Sequence, residues 1–599
     1  MGSRSMGGAA SCAWAPLIIV AVQAAMFLLA ATRGLDLTDE SFYLLTYQHW
    51  SEWPSVSLFG AYFTLPFTAL GHGVWAIRVL GFVLLLGAAI WFSFEVSTAL
   101  GALARAPGRE GLIAASVAGG ACIWSYYGGF PGPPTPSYNL LTLCCALVTV
   151  ALALRLGRKI LHAEARGREG DAFALGVAAS VGIASKFSSG VLVLALSVVI
   201  VCAFAWRRLE PRAWIRIGSA VAAGALLNIV LLWLADPDLP ARFRRGIEVT
   251  WAMYPRAPAN ELAGLVAVEI PRDILLSLRI LLWPLVFALA VLAIASRTPR
   301  PSLANGIAVV AFVAWAALVT FVRDNRVHRI VLLTLVAALL ALAAMWLRRR
   351  SGSTPARARR SVVGGAIVAV PFAYSFGTNN PLLWHMGMAA IFPSVLAISQ
   401  LRAMLVERTI PAWAFAVGIS VLAALPAEIL VRQWLDGSYT YRLGAPLAKQ
   451  TARMPSNPAR IDLDVSPTLA RDVGEFLRLA RESGFAAGQP MIDFTGQSPG
   501  LVALSRGVPL GAIWIIGGPG FDGDQMARLS LDDVDAKDLR RAWLLTSRDS
   551  FASIRSWRSI LEARLGAFTH EEAGRVTIAD PTSNDKSKTI EVTLWRPGS

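Results

Sequence analysis

The chain has 599 residues, of which 55% are hydrophobic and only 16% charged, and its mean hydropathy is +0.54. A soluble globular protein carries about a quarter charged residues, so that class is excluded. The formal charge of +16 does not indicate nucleic acid, because most of it sits in short loops between apolar runs.

Stretches able to cross a bilayer need roughly 20 apolar residues. They are predicted at 14–31, 74–98, 111–127, 138–154, 172–185, 189–206, 217–234, 274–296, 305–322, 330–347, 361–375, 384–404 and 413–431, thirteen in all. The first is long for the apolar region of a signal peptide and reads as a retained anchor. The loop after it, GLDLTDESFYLL, holds Asp36, Asp39 and Glu40 at a place where a bare carboxylate gains nothing from lipid. Thr38 or Asp39 could cap a short helix from Ser41, and acids suit a helix N-terminus. That accounts for one acid, not three. The aromatic residues that follow predict external interfacial helices over about 36–72.

Later loops alternate in charge. Those with Arg105 and Arg109, with Arg155, Arg158 and Lys159, with Arg207 and Arg208, and the run RRRSGSTPARARR are basic and predicted cytoplasmic. The loops at 32–73, 128–137 and 376–383 contain Arg33 as their one basic residue. An N-terminus in the cytoplasm and an odd span count place the C-terminal residues outside. The domain expectation is therefore a transmembrane part, 1–436, and an external α/β domain, 437–599. In the latter, SPTLARDVGEFLRLARESG predicts a helix with Ser466 as N-cap and Gly484 at its end. PMIDFTG, AIWIIGG, RAWLLTS and IEVTLWRP predict strands, and SWRSILEARLGAF a second helix. The five cysteines lie in apolar runs and frame no disulfide set, and the six histidines show no metal-binding spacing.

An Asp39–Glu40 pair after the first span, with Tyr43 beyond it and Arg78 opening the second span, resembles the GT-C glycosyltransferases, especially the protein-mannosylating and lipid A aminoarabinose transferase-like branches. The many spans followed by a soluble part resemble them too. The resemblance implies a polyprenyl-phosphate sugar as donor, with Asp39 as general base and Glu40 orienting the acceptor or holding a divalent cation. A phosphodiester leaving group needs no proton at neutral pH, so one base suffices. The departing lipid phosphate must meet cations. External candidates are Arg78, Lys186, Arg244, Arg245, Arg323 and Arg326, with Arg242, His328 and Arg329 beside them; each could equally flank lipid head groups. Tyr43, Tyr138, Asn139, Asn379 and His385 are candidates for sugar recognition.

The expectation is thus a bacterial inner-membrane, inverting glycosyltransferase acting at the periplasmic face on a glycan, lipid or protein hydroxyl, with no nucleic-acid partner. Bacterial origin is read from Ala/Arg richness. The alternatives are an oligosaccharide ligase or oligosaccharyltransferase using a pyrophosphate donor, and a non-enzymatic transporter or flippase of lipid-linked sugars. A transporter should show internal repeats and broken midplane helices.

Overall fold

The computed structural model describes residues 14–100, 118–120, 122–129, 134–206, 208–253, 354–377, 382–406, 431–437, 440–518, 521–568, 570–583 and 588–598, with a few single positions between 268 and 345. The predicted spans at 274–296, 305–322, 330–347 and 413–431 lie almost wholly outside the described residues, as do positions 111–117 of the span at 111–127 and the residues Arg323, Arg326, His328, Arg329 and Asn379.

The N-terminal part is helical. Helix α1 (Trp14–Ala30) is followed by two short helices, α2 (Asp39–His49) and α3 (Phe59–Ala69), and then by α4 (Val74–Ala99). After α5 (Trp124–Gly129) come α6 (Tyr138–Leu161), α7 (Arg168–Ser185), α8 (Phe187–Ala205), α9 (Pro211–Ala235) and α10 (Leu239–Met253). Four of these, α4, α6, α8 and α9, are long and apolar enough to cross a membrane. On α9 the residues Leu226, Ile229, Leu231, Trp233 and Leu234 are exposed, an apolar face that water would not tolerate and lipid does. This is a membrane protein.

Helices cross closely where side chains are absent. A Cβ on Gly176 of α7 would lie 2.0 Å from the Val221 carbonyl, and one on Gly224 of α9 would lie 2.0 Å from the Phe173 carbonyl. The two glycines therefore let these backbones touch, as small residues do in membrane helix pairs.

Helices α11 (Thr354–Ser375), α12 (Leu382–Met388) and α13 (Ile391–Val406) complete the described bundle. The predicted span 384–404 is thus two helices. Pro393 has no N–H, and in one continuous helix its ring would meet the carbonyl of residue 389, which favours a break there. Tight turn bonds replace it, from Ala389 N to Met386 O at 3.0 Å and from Ala390 N to Gly387 O at 3.1 Å.

The C-terminal part begins with a small pairing of β1 (Ala452–Arg453) and β2 (Asp464–Val465), followed by α14 (Pro467–Glu482). Helix α14 starts as its sequence predicts, with the Ser466 hydroxyl accepting from Leu469 N, and buries Val473, Phe476 and Ala480. Then come β3 (Pro490–Asp493), α15 (Pro499–Ser505), β4 (Val508–Pro509), α16 (Gly523–Asp532), α17 (Ala536–Arg541), β5 (Trp543–Ser547), α18 (Trp557–Leu565), β6 (His570–Ala579) and β7 (Thr589–Pro597). The sheet order is β4-β3-β5-β7-β6, parallel across β4, β3 and β5 and antiparallel beyond.

AIWIIGG is not a strand, contrary to its apolar pattern. Ile513 and Ile515 are buried, but Gly511 at φ +80° turns the chain off the sheet edge just after β4. Strand β6 went unpredicted because its polar residues outnumber its apolar ones; its ladder with β7 supplies the ordering.

Candidate active site

The acidic loop is held by the C-terminal part. Gly34 N donates to the Asp464 carbonyl at 2.7 Å, and Asp464 N donates to Thr32 O at 2.9 Å, so β2 pairs with the chain leaving α1. Gly500 N donates to Leu37 O at 2.8 Å, and a Cβ at Gly500 would lie 2.6 Å from Leu37 and 2.8 Å from the Ser41 hydroxyl. Helix α15 therefore seats on the start of α2 only because residue 500 has no side chain. The aromatic face of α2, with Tyr43 and Tyr47, is buried, which differs from a helix lying free at the bilayer surface.

Within the loop the three acids have separate roles. Asp36 is the cap: its carboxylate accepts from Thr38 N and Asp39 N, both at 3.0 Å, and from the Thr38 hydroxyl at 2.7 Å. Neither Thr38 nor Asp39 caps α2 through its side chain. Burial pushes the Asp36 carboxyl up to about 6; Arg442 opposes that rise and Asp39 adds to it. The folded state thus holds this proton more tightly than the unfolded chain. Asp36 favours folding below about pH 4, and that contribution is lost as pH rises through about 6. Asp36→Asn is expected to flatten the pH dependence of thermal unfolding between those values, measured on purified protein in detergent.

Glu40 and Arg78 form a buried ion pair, both essentially without exposure. Arg78 Nε and Nη2 reach Glu40 Oε1 at 2.9 and 2.7 Å, and the Thr135 hydroxyl also donates to that oxygen. Arg78 Nη1 donates to the carbonyls of Ala31 and Arg33, at 2.8 and 3.1 Å, and Nη2 to that of Gly34 at 2.8 Å. Glu40 Oε2 accepts from Asp36 N at 3.2 Å. The expectation that Arg78 binds donor phosphate and that Glu40 meets the acceptor or a cation does not fit this geometry. Their polar atoms are already used to tie α4 to the loop.

Asp39 is different. Its side chain is 20% exposed. Oδ2 accepts from the Tyr441 hydroxyl at 2.8 Å and from Arg442 Nη1 at 2.9 Å, whereas Oδ1 accepts from no described residue. One oxygen is anchored and the other is available.

A second polar cluster lies between α6, α8, α11 and α12. Lys186, at the turn between α7 and α8, is buried and has no carboxylate partner among the described residues. Its ammonium donates to Tyr374 O at 3.1 Å, lies 3.1 Å from His385 Nε2, and stands 5.2 Å above the Tyr374 ring. His385 Nε2 is also 3.1 Å from Asn139 Oδ1, and the Tyr374 hydroxyl donates to Asn139 O at 3.0 Å. Burial lowers the Lys186 ammonium to about 7. Three candidates from the sequence, Lys186, Asn139 and His385, therefore meet. Tyr138, next to Asn139, packs edge-on to Tyr43 of α2 with ring centroids 6.3 Å apart, linking this cluster to the acidic helix. Ser57 and Leu58 join it from the other side, through bonds to Ser185 O and Ala184 O at 2.6 and 2.8 Å.

The remaining arginines lie elsewhere. Arg245 is not poised for phosphate: it bonds Glu248, Leu529 O and Asp532, fastening α10 to α16. Arg242 pairs with Asp236 and lies over Trp50. Arg244 is largely exposed beside Glu248. Tyr126 and Tyr127 are core residues, Tyr127 packing on Phe27 with centroids 4.9 Å apart.

Among the described residues no three His, Cys, Asp or Glu side chains gather as a metal site. The acids of the loop do not fit a cation either, since Asp36 and Glu40 are saturated by donors and Asp39 faces an arginine. Sequence reading missed Asp36 as the cap, Thr135, Tyr374, Tyr441 and Arg442. An arginine directly after a tyrosine, just past the last span, was the available signal for the last two.

No family model matches the chain, and no curated protein does. Among solved structures it is similar to ArnT from Cupriavidus metallidurans bound to undecaprenyl phosphate, at 14% identity and TM-score 0.40, covering 98% of both chains. The apo state of that protein aligns at 14% identity and TM-score 0.38, again over 98% of each chain. An oligosaccharyltransferase from Archaeoglobus fulgidus, in complex with Zn and sulfate, aligns at 10% identity and TM-score 0.38, over 88% of this chain and 68% of that one. Likeness at this level fixes neither substrate nor activity.

Proposed function

We propose that this chain is an inverting, GT-C-type glycosyltransferase that moves a sugar from a polyprenyl-phosphate donor to a hydroxyl of a cell-envelope glycan, lipid or protein at the periplasmic face of a bacterial inner membrane. The observation that carries this reading is the state of Asp39: of three clustered acids, it alone has a carboxylate oxygen without a partner among the described residues, and it is partly exposed. In this reading Oδ1 accepts the proton of the acceptor hydroxyl as the hydroxyl oxygen attacks the anomeric carbon. The bond from that carbon to the phosphate oxygen breaks on the opposite side, and the lipid phosphate leaves with the electron pair. One displacement inverts the anomeric centre. No acid is needed for the leaving group.

The Lys186 ammonium, buried without a carboxylate partner among the described residues, would meet the phosphate charge, with His385 and Asn139 beside it. The C-terminal part, 437–599, would then be an external domain that covers the acidic loop. The reading is tested by mass spectrometry of envelope glycans from cells lacking the gene, complemented with the wild-type chain or with Asp39→Asn. Loss of one sugar, restored by the wild type alone, supports it; an unchanged glycan profile in the deletion strain opposes it.

Lys186→Gln is expected to weaken polyprenyl-phosphate binding by roughly one to two decades, since a charge-assisted contact contributes about 1.5–3 kcal/mol. Titration of the purified variant with polyprenyl phosphate measures this. Unchanged affinity would assign the phosphate to other cations.

A further inference from the structure

We infer that Tyr441 and Arg442 are positioning residues for Asp39, so that the C-terminal part completes the reactive geometry of the acidic loop. The inference rests on the reading of Asp39 as the base. Tyr441 and Arg442 are 402 and 403 residues from Asp39 in the chain, yet both donate to the same oxygen, Oδ2. The same Arg442 nitrogen also bonds the Thr38 hydroxyl at 2.6 Å, and its guanidinium lies 4.5 Å over the Tyr441 ring. The arginine therefore spans the residue before Asp39 and Asp39 itself, which fixes where α2 begins as well as the carboxylate.

The backbone shows the cost of this placement. Arg442 sits at φ +55°, in the left-handed region that residues other than glycine and asparagine avoid. Such a conformation persists where surrounding contacts over-determine it, and it clusters at functional sites. The surrounding contacts are present: Arg33 Nη1 donates to Leu447 O at 3.0 Å, and its guanidinium covers the Trp434 ring at 5.1 Å. Trp434 and Leu447, on either side of Tyr441 and Arg442, are thereby held against the loop that carries the acids.

The chemistry explains why two donors share one oxygen. A carboxylate with both oxygens bonded is a poor base, and one with neither is free to rotate. Anchoring Oδ2 leaves Oδ1 with a set direction. The titratable groups facing Asp39 are Asp36 in its own loop, Tyr43 one turn along α2, and Tyr441 and Arg442.

The test uses the full-length protein in detergent, with Tyr441→Phe, Arg442→Met and Arg442→Lys. Each is treated at pH 6 to 8 with a water-soluble carbodiimide and glycine ethyl ester, and labelling of the Asp39 peptide is quantified by mass spectrometry. Labelling is expected to rise several-fold in Arg442→Met, where the carboxylate loses a donor that covers it, less in Tyr441→Phe, and to return toward wild type in Arg442→Lys. In a transfer assay, kcat should fall in the same order while KM for the donor stays near the wild-type value, with Arg442→Lys restoring part of the loss. A merely structural role would lower the amount of folded protein without separating kcat from KM. Wild-type labelling and kcat in both Tyr441→Phe and Arg442→Met would overturn the inference. An active Asp39→Asn enzyme would overturn the base reading instead, whatever the labelling shows.

Discussion

Asp39→Asn is expected to lose transfer by a factor on the order of 10²–10⁴, while still binding polyprenyl phosphate. Asparagine matches aspartate in shape, and its carbonyl oxygen can still accept from Tyr441 and Arg442, which bond Oδ2 in the native chain. It cannot take a proton at neutral pH. Folding should barely change, because the cap of α2 is Asp36, not Asp39. The two measurements are transfer of radiolabelled sugar from a polyprenyl-phosphate donor, and donor binding by the same purified variant. A variant that transfers at the native rate removes the base from the mechanism and returns the transporter reading to contention.

Arg78→Met is expected to destabilise the protein by about 3–5 kcal/mol, the usual result of removing one partner of a buried ion pair. The loss has two parts. Glu40 would be left buried without its guanidinium partner, with the Thr135 hydroxyl and Asp36 N as its remaining donors. The carbonyls of Ala31, Arg33 and Gly34 would lose their guanidinium donors. Removing the charge as well, in Arg78→Met with Glu40→Gln, should recover part of the stability, since an unpaired buried charge is the larger penalty. Arg78→Lys should not substitute, because an ammonium has three donors and cannot reproduce the planar fork. Thermal unfolding in detergent of Arg78→Met, Glu40→Gln and the double variant, beside the wild type, gives the cycle. If Arg78→Met melts with the wild type, the pair is not what holds the loop.

The acidic loop, the helix behind Ser466 and three of the sheet strands were legible in the sequence because their signals are local. A cap is adjacent to the helix it caps, and an apolar stripe repeats within one element. The same locality misled at AIWIIGG, where an apolar run has no ladder to join, and at 384–404, where hydropathy outweighed the proline at 393. Arg78 was found as a conspicuous residue but given the wrong partner. A charge at the start of a span reads as a ligand group until the carboxylate that faces it is known.

Composition and charge asymmetry by themselves determined that this chain belongs in a membrane, and the placement of three acids behind the first apolar helix marked where to look for chemistry. The resemblance named Asp39 as the base, but which acid keeps an open oxygen was decided by the tertiary structure. Asp36, Asp39 and Glu40 are near neighbours in sequence with similar intrinsic acidity, so no local pattern separates them. Burial and partners do: Glu40 is spent on Arg78, Asp36 on the backbone of its own loop, and Asp39 is left with one open oxygen by two donors that arrive from about four hundred residues away.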